Sequence, residues 1–322
     1  MEESLINMEK ILILSVLGEV QTLDTTDAVL KTVGSQKDYT FVYGPLFLTI
    51  CGLFNKISFS SVSLFLYEFK ILNLIAYLLT VYLVYRLTKK KKLTIGYAFN
   101  PLILLEVLVN VHNDIFVLLF ALLGIMFVKE AENDREKFGK SELIFICGLI
   151  FLAFSACIKY VAILILPFMI LYRLRDKKFI QKIMAGIAYL VIFLGVIGFM
   201  YMPYVQSVTE IFSGAMTQTG KLKDSIYMVI AMITDLDSNV VGICYSIGIF
   251  VLAYIFIVKV LMQCFRKNNF RATMKNVLIV LYGLIFLGLT NLTSWYFIWL
   301  FIPIFWTTGK DFKNLMWLRI FL

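Results

Sequence analysis

Apolar runs, each roughly 11 to 25 residues long, return along most of this chain, and short charged or polar loops separate them. No other feature restricts the fold as strongly. A series of such runs describes several membrane spans rather than one anchor. Irregular backbone cannot face lipid, because no water is there to satisfy its amides, so the runs are expected to be helical. An apolar fraction of 61% and a mean hydropathy of +0.87 exclude an ordinary soluble domain. The net charge of +9 lies largely in the short loops, where Lys and Arg set orientation, so it does not point to nucleic acid.

Cys51, Cys147, Cys157, Cys244 and Cys264 are scattered through apolar runs without CxxC spacing and read as small core residues. With a single histidine in the chain, no metal-ligating pattern exists. Residues 1–18 do not make a cleavable signal: two glutamates open them, and the apolar core 11–17 is short and soon meets Glu19. Direct insertion into a plasma membrane is the matching expectation.

Basic clusters follow four of the apolar runs: Arg86 with residues 89–92; Arg173, Arg175, Lys177 and Lys178; Arg266, Lys267, Arg271 and Lys275; and Lys310, Lys313 and Arg319. If all four face the cytoplasm, the runs at 63–85, 94–110, 115–128, 143–157, 161–172, 183–204, 238–262, 276–290 and 296–306 must alternate consistently between them. They do. The expected architecture is therefore an all-α, polytopic transmembrane bundle of about nine short or full spans, with its C-terminus cytoplasmic. Residues 1–60 form an outer-face loop with juxtamembrane helices, and residues 61–322 the transmembrane domain. The segment 43–56 is either a short span or a helix lying at the outer surface.

Four of the runs (115–128, 143–157, 161–172 and 296–306) reach only roughly 17–22 Å as helices, less than the roughly 30 Å of hydrocarbon. Their hairpins should turn below the outer surface, inside protein or around a cavity. The turns are 111–114, 158–160 and 291–295, and they carry Asn110, His112, Asn113, Asp114, Lys159, Tyr160, Asn291, Thr293 and Trp295 to a similar depth. An outward-facing polar cavity is expected there.

Ionisable groups at membrane depth are costly and mark sites by default. Glu106 lies six residues before His112, about 9 Å below it on a straight helix. It is either a helix-to-helix tether or part of the cavity lining. Asn113 or Asp114 either caps the helix starting at Ile115 or faces a ligand, and the two roles are compatible because a helix N-terminus favours an anion. Lys159 either snorkels to headgroups or meets a phosphate at the cavity mouth. Trp295 and Tyr296 are either interfacial aromatics or ligand walls. Upstream, Asp24 and Asp27 precede Tyr43-Gly44-Pro45-Leu46.

Three motifs resemble the GT-C class of membrane glycosyltransferases, most closely the polyprenyl-phosphate-mannose-dependent mannosyltransferases. Tyr43-Gly44-Pro45-Leu46 is similar to the sequence that ends their first outer loop. Asn100-Pro101-Leu102 followed by Glu106 and His112-Asn113-Asp114 is similar to their Asn-Pro-Leu…His-Asn-Asp pair of helices. Lys159, and Ser294-Trp295-Tyr296 with Trp299, are similar to their later turns. The resemblance implies transfer of a sugar, mannose by this likeness, from a polyprenyl-phosphate sugar to the hydroxyl of a glycan or glycolipid at the outer face, with inversion. It implies Asp24 or Asp27 as general base and His112 and Lys159 as partners of the donor phosphate. Tyr43, Glu106, Asn113, Asp114, Trp295 and Tyr296 would position sugar or acceptor. The lipid-linked donor is a substrate, and the resemblance implies neither cofactor nor metal; membrane lipids are the remaining partners.

Such enzymes carry a span before the outer loop, and residues 1–23 contain no full span. Either the loop is short and Asp24 serves, or the base is missing and the chain is a non-catalytic subunit. A lipid or small-molecule transporter is the other alternative, since broken helices and buried charges suit that class too.

Overall fold

A computed structural model describes residues 43–58, 62–134, 138–204, 225–234 and 237–307. Asp24 and Asp27 lie outside these residues. The described chain is helical, with no strand among the described residues. Its helices are α1 (Pro45–Ile57), α2 (Val62–Thr88), α3 (Lys91–Ala98), α4 (Pro101–Ile103), α5 (Asp114–Asn133), α6 (Phe138–Ala156), α7 (Leu166–Arg173), α8 (Phe179–Tyr201), α9 (Ile226–Thr234), α10 (Ser238–Phe265), α11 (Phe270–Gly283) and α12 (Phe301–Thr307). Two π-helical turns, Leu104–Val109 and Leu284–Gly288, continue α4 and α11, and two 3-10 segments, Tyr160–Leu164 and Ser294–Leu300, precede α7 and α12.

All nine apolar runs are helical. Among the described residues, five helices are long and apolar enough to cross a membrane, and α3 with α4 and its π turn makes a sixth, bent by 43°. The bend falls at Asn100-Pro101. Proline has no amide hydrogen and disfavours helical backbone in the residue before it, so α3 stops at Ala98. Asn100 restarts the helix: its side chain accepts from the amides of Leu102 and Ile103.

Two of the expected short spans are longer than their apolar runs. Helix α5 continues through Lys129, Glu130 and Glu132, and α6 begins at Phe138, before Ser141 and Glu142. A charged residue ends an apolar run but not a helix, because backbone hydrogen bonding continues while the side chain turns to polar surroundings. The other two are short and irregular, with a 3-10 segment leading into seven or eight α-helical residues.

Helix α5 forms the centre, with Ile115, Val117, Leu118, Ala121, Leu122, Ile125 and Val128 fully buried. Its antiparallel partner α6 approaches closely at Gly124 and Gly148, where a Cβ on Gly148 would stand 3.0 Å from the Gly124 carbonyl oxygen. Small residues at such a crossing let backbones pack where lipid supplies no hydrophobic drive. Helices α8 and α10 instead expose Val191, Leu194, Phe199, Phe250 and Tyr254, as lipid-facing helices do. At the far end of α5, Arg173 bonds Glu142 (3.3 Å), Arg175 bonds Glu132 (2.5 Å) and Arg86 approaches Glu130 (3.5 Å). Of the four basic clusters, the three that lie among the described residues thus gather at one end of the bundle, while Lys310, Lys313 and Arg319 lie outside the described residues. The turns at 110–114, 158–160 and 291–295 gather at the other.

Candidate functional site

The site begins with the backbone. The π turn Leu104–Val109 is followed by Val111, whose φ of 57° is rare for a β-branched residue. The His112 amide donates to the Glu106 carbonyl at 2.9 Å. The chain therefore wraps around Glu106 instead of running straight past it, which changes the simple 9 Å separation expected from a continuous helix. Strained backbone of this kind costs about 1–3 kcal/mol and persists where the surroundings hold it.

Asp114 is the first residue of α5 and fully buried. Its side chain makes no capping bond. Oδ2 accepts from Lys159 Nζ at 2.7 Å, Oδ1 accepts from Trp299 Nε1 at 2.6 Å, and His112 Nδ1 stands 3.6 Å from Oδ2. Two donors converge on one carboxylate with an imidazole close by, an acceptor-only arrangement that fits the ionised form. Its place in the first turn of α5 adds the favourable end of the helix dipole. Asn113 also makes no capping bond; its amide is buried, with no hydrogen-bond partner for either side-chain atom among the described residues. The capping alternative for these two residues is thereby removed, and the amide is left with donors and an acceptor to offer.

Lys159 does not snorkel. Its side chain is 12% exposed, and its ammonium lies over the rings of Tyr43 (5.3 Å), Tyr296 (5.3 Å) and Trp299 (5.8 Å) while it bonds Asp114. Aromatic faces and a carboxylate together replace the water a buried cation loses. The Tyr43-Gly44-Pro45-Leu46 motif explains how Tyr43 arrives there. Gly44 donates its amide to Ile158 O and Leu46 to Cys157 O, both at 3.0 Å, which pins this segment to the turn before Lys159. A Cβ on Gly44 would run into the Cys157 carbonyl. Pro45 then starts α1.

His112 stacks on Trp295, with ring centroids 3.9 Å apart and planes 20° from parallel. Tyr296 packs between Trp295 (5.9 Å) and Trp299 (4.7 Å). Glu106, buried, accepts from Asn110 Nδ2 at 3.0 Å and from the Ser294 hydroxyl, tying the first turn to the last. His112, Asn113, Asp114, Lys159, Tyr43, Trp295, Tyr296 and Glu106 thus form one continuous cluster built from three turns and the segment at Tyr43. Ser294 and Trp299 belong to it as well. They occur in the motif at 294–299, yet nothing in their local sequence marks them as partners of Glu106 and Asp114.

Fold and site define a helical membrane protein with a buried ion pair and an aromatic wall where its broken hairpins meet. Residues 34–175 match the family model described as alpha-(1->6)-mannopyranosyltransferase, N-terminal domain. The match supports a GT-C-like mannosyltransferase and a mannosyl-transfer function. It covers Tyr43, Glu106, His112, Asn113, Asp114 and Lys159, and ends before Trp295 and Tyr296. No curated protein and no solved structure matches.

Proposed function

We propose that the protein transfers a mannosyl residue from a polyprenyl-phosphate donor to an acceptor hydroxyl at the outer membrane face, with inversion at the anomeric carbon. The carrying observation is the cluster of His112, Asp114 and Lys159 between aromatic rings, at the end of the bundle opposite the basic clusters. The acceptor oxygen bonds to C1 of the mannosyl group as the bond from C1 to the phosphate oxygen breaks. The phosphate keeps that electron pair and leaves as polyprenyl phosphate, and the acceptor proton passes to a carboxylate, for which Asp24 and Asp27 are the candidates. His112, partly exposed and held flat by Trp295, meets the phosphate. Lys159 is already balanced by Asp114, so it adds a fixed positive field beside the leaving group instead of a free arm. Tyr43, Trp295 and Tyr296 supply flat walls, and the Asn113 amide meets sugar hydroxyls. Glu106 holds the turns in place. A glycan or glycolipid is the acceptor, and the scheme requires no cofactor.

The test is transfer of labelled mannose from polyprenyl-phosphate mannose by purified protein in detergent. One of Asp24→Asn and Asp27→Asn should lower turnover by about 100-fold or more, the usual size of general-base loss. His112→Ala should lower it as well. Turnover unchanged in both aspartate variants would remove them as base, and no transfer by the wild type would overturn the reading.

A further inference from the structure

A cavity of about 620 Å³ opens at the basic end of the bundle, between α6, the end of α7 and the start of α8. It is remote from the cluster at Asp114, because α5 and α6 each run the length of the bundle between them. Its lining changes character along its length. Arg173, Lys177, Gln181 and the carboxylates Glu142 and Asp176 are at the polar end, and Ala185 and Ala188 continue it along the lipid-facing side of α8. Two alanines one turn apart leave a furrow where the rest of that surface carries large apolar side chains such as Met184, Ile187 and Val191.

Neighbouring cations take up the carboxylates at its polar end and leave Lys177 over. Arg173 pairs with Glu132 and Glu142, Arg175 with Glu132 and Asp176, and Lys267 with Asp176. Tyr189 donates its hydroxyl to Glu142 at 2.6 Å. Those contacts satisfy the acidic groups of the cavity. Lys177, exposed at its rim, has no ion-pair partner among the described residues. Gln181 accepts from the Lys178 amide through Oε1, which leaves its Nε2 donors available. One uncompensated cation and a free amide donor therefore stand at the head of an apolar furrow.

We propose that this cavity holds one anionic phospholipid. Its headgroup phosphate meets Lys177 and Gln181, and an acyl chain lies over Ala185 and Ala188. Basic pockets between helices at the positively charged face of membrane proteins take acidic headgroups for the same electrostatic reason. The furrow supplies what a soluble phosphate would not need, and it distinguishes the occupant. The lipid seals α6 against α8 beside the Arg173–Glu142 pair.

The experiment uses the full chain in detergent, titrated with phosphatidylglycerol, phosphatidylcholine or inorganic phosphate. Thermal unfolding is followed, and retained lipid is counted by native mass spectrometry. One retained phosphatidylglycerol and a raised melting temperature are expected, with phosphatidylcholine and inorganic phosphate giving neither. Lys177→Gln should weaken phosphatidylglycerol binding about fivefold, the effect of one basic side chain near a headgroup. Ala188→Leu, at an exposed position, should displace the lipid while leaving the melting temperature without lipid unchanged. An equal effect of phosphatidylcholine or inorganic phosphate would overturn the proposal, as would wild-type binding by both variants. None of these readouts depends on sugar transfer.

Discussion

The buried pair of Asp114 and Lys159 makes a prediction that can be worked quantitatively. Asp114→Asn removes the negative charge and strands an ammonium with 12% exposure among three rings. Breaking a buried pair from one side costs about 3–5 kcal/mol. The cation–π contacts are already made in the wild type and return nothing further, so a net loss of about 3–5 kcal/mol is expected. Lys159→Met leaves Asp114 with Trp299 at 2.6 Å and His112 at 3.6 Å, and a similar net loss follows. The double variant buries no unpaired charge and keeps an acceptor for Trp299, so it should lose only about 1–2 kcal/mol. The coupling energy is then at least about 4 kcal/mol, read from denaturant unfolding of the four proteins in detergent as a double-mutant cycle. Losses that add to within about 0.5 kcal/mol would show that the two residues do not form the buried pair, and would refute the argument.

Gly44→Ala should detach the Tyr43 segment from the turn at Cys157–Ile158, because the new methyl meets a backbone carbonyl that cannot rotate away. Turnover should fall by about tenfold or more, as small displacements at a reacting site do, and wild-type turnover would contradict the proposed role of this glycine. Trp295→Ala removes the surface on which His112 stacks. We expect it to raise KM for the lipid-linked donor more than it lowers kcat, and an unchanged KM would count against His112 as a phosphate partner.

Much of the fold was legible because a bilayer leaves few options. Apolar runs of sufficient length become helices and polar residues in mid-run mark turns, whereas the run 94–110, expected as one span, proved to be broken at Asn100-Pro101. Run lengths were less legible. The ends of α5 and α6 extend into charged sequence, since Lys129, Glu130 and Glu132 remain helical while their heads reach polar partners at the basic end. The two π turns left no clear trace in the sequence, and one of them decides where Glu106 sits relative to His112. The Glu106–Asn110 bond spans only four residues but was not drawn from the sequence, which offered Glu106 as a helix-to-helix tether or as cavity lining. The bond from Ser294 to the same carboxylate could not be read there, because its partners are 188 residues apart.

By itself the sequence determined the class of environment, the helical character of the runs, the grouping of basic residues and the identity of the polar residues at the turns. Each of these follows from local pattern and from what a side chain costs in hydrocarbon. Only the tertiary structure decided that Lys159 belongs to Asp114 rather than to a headgroup, and that Trp299 holds the other oxygen of that carboxylate from 185 residues away. Pairing across such distances depends on the depth at which each hairpin turns and on which helices are neighbours. Those are properties of the packed bundle, and no single segment of the chain contains them.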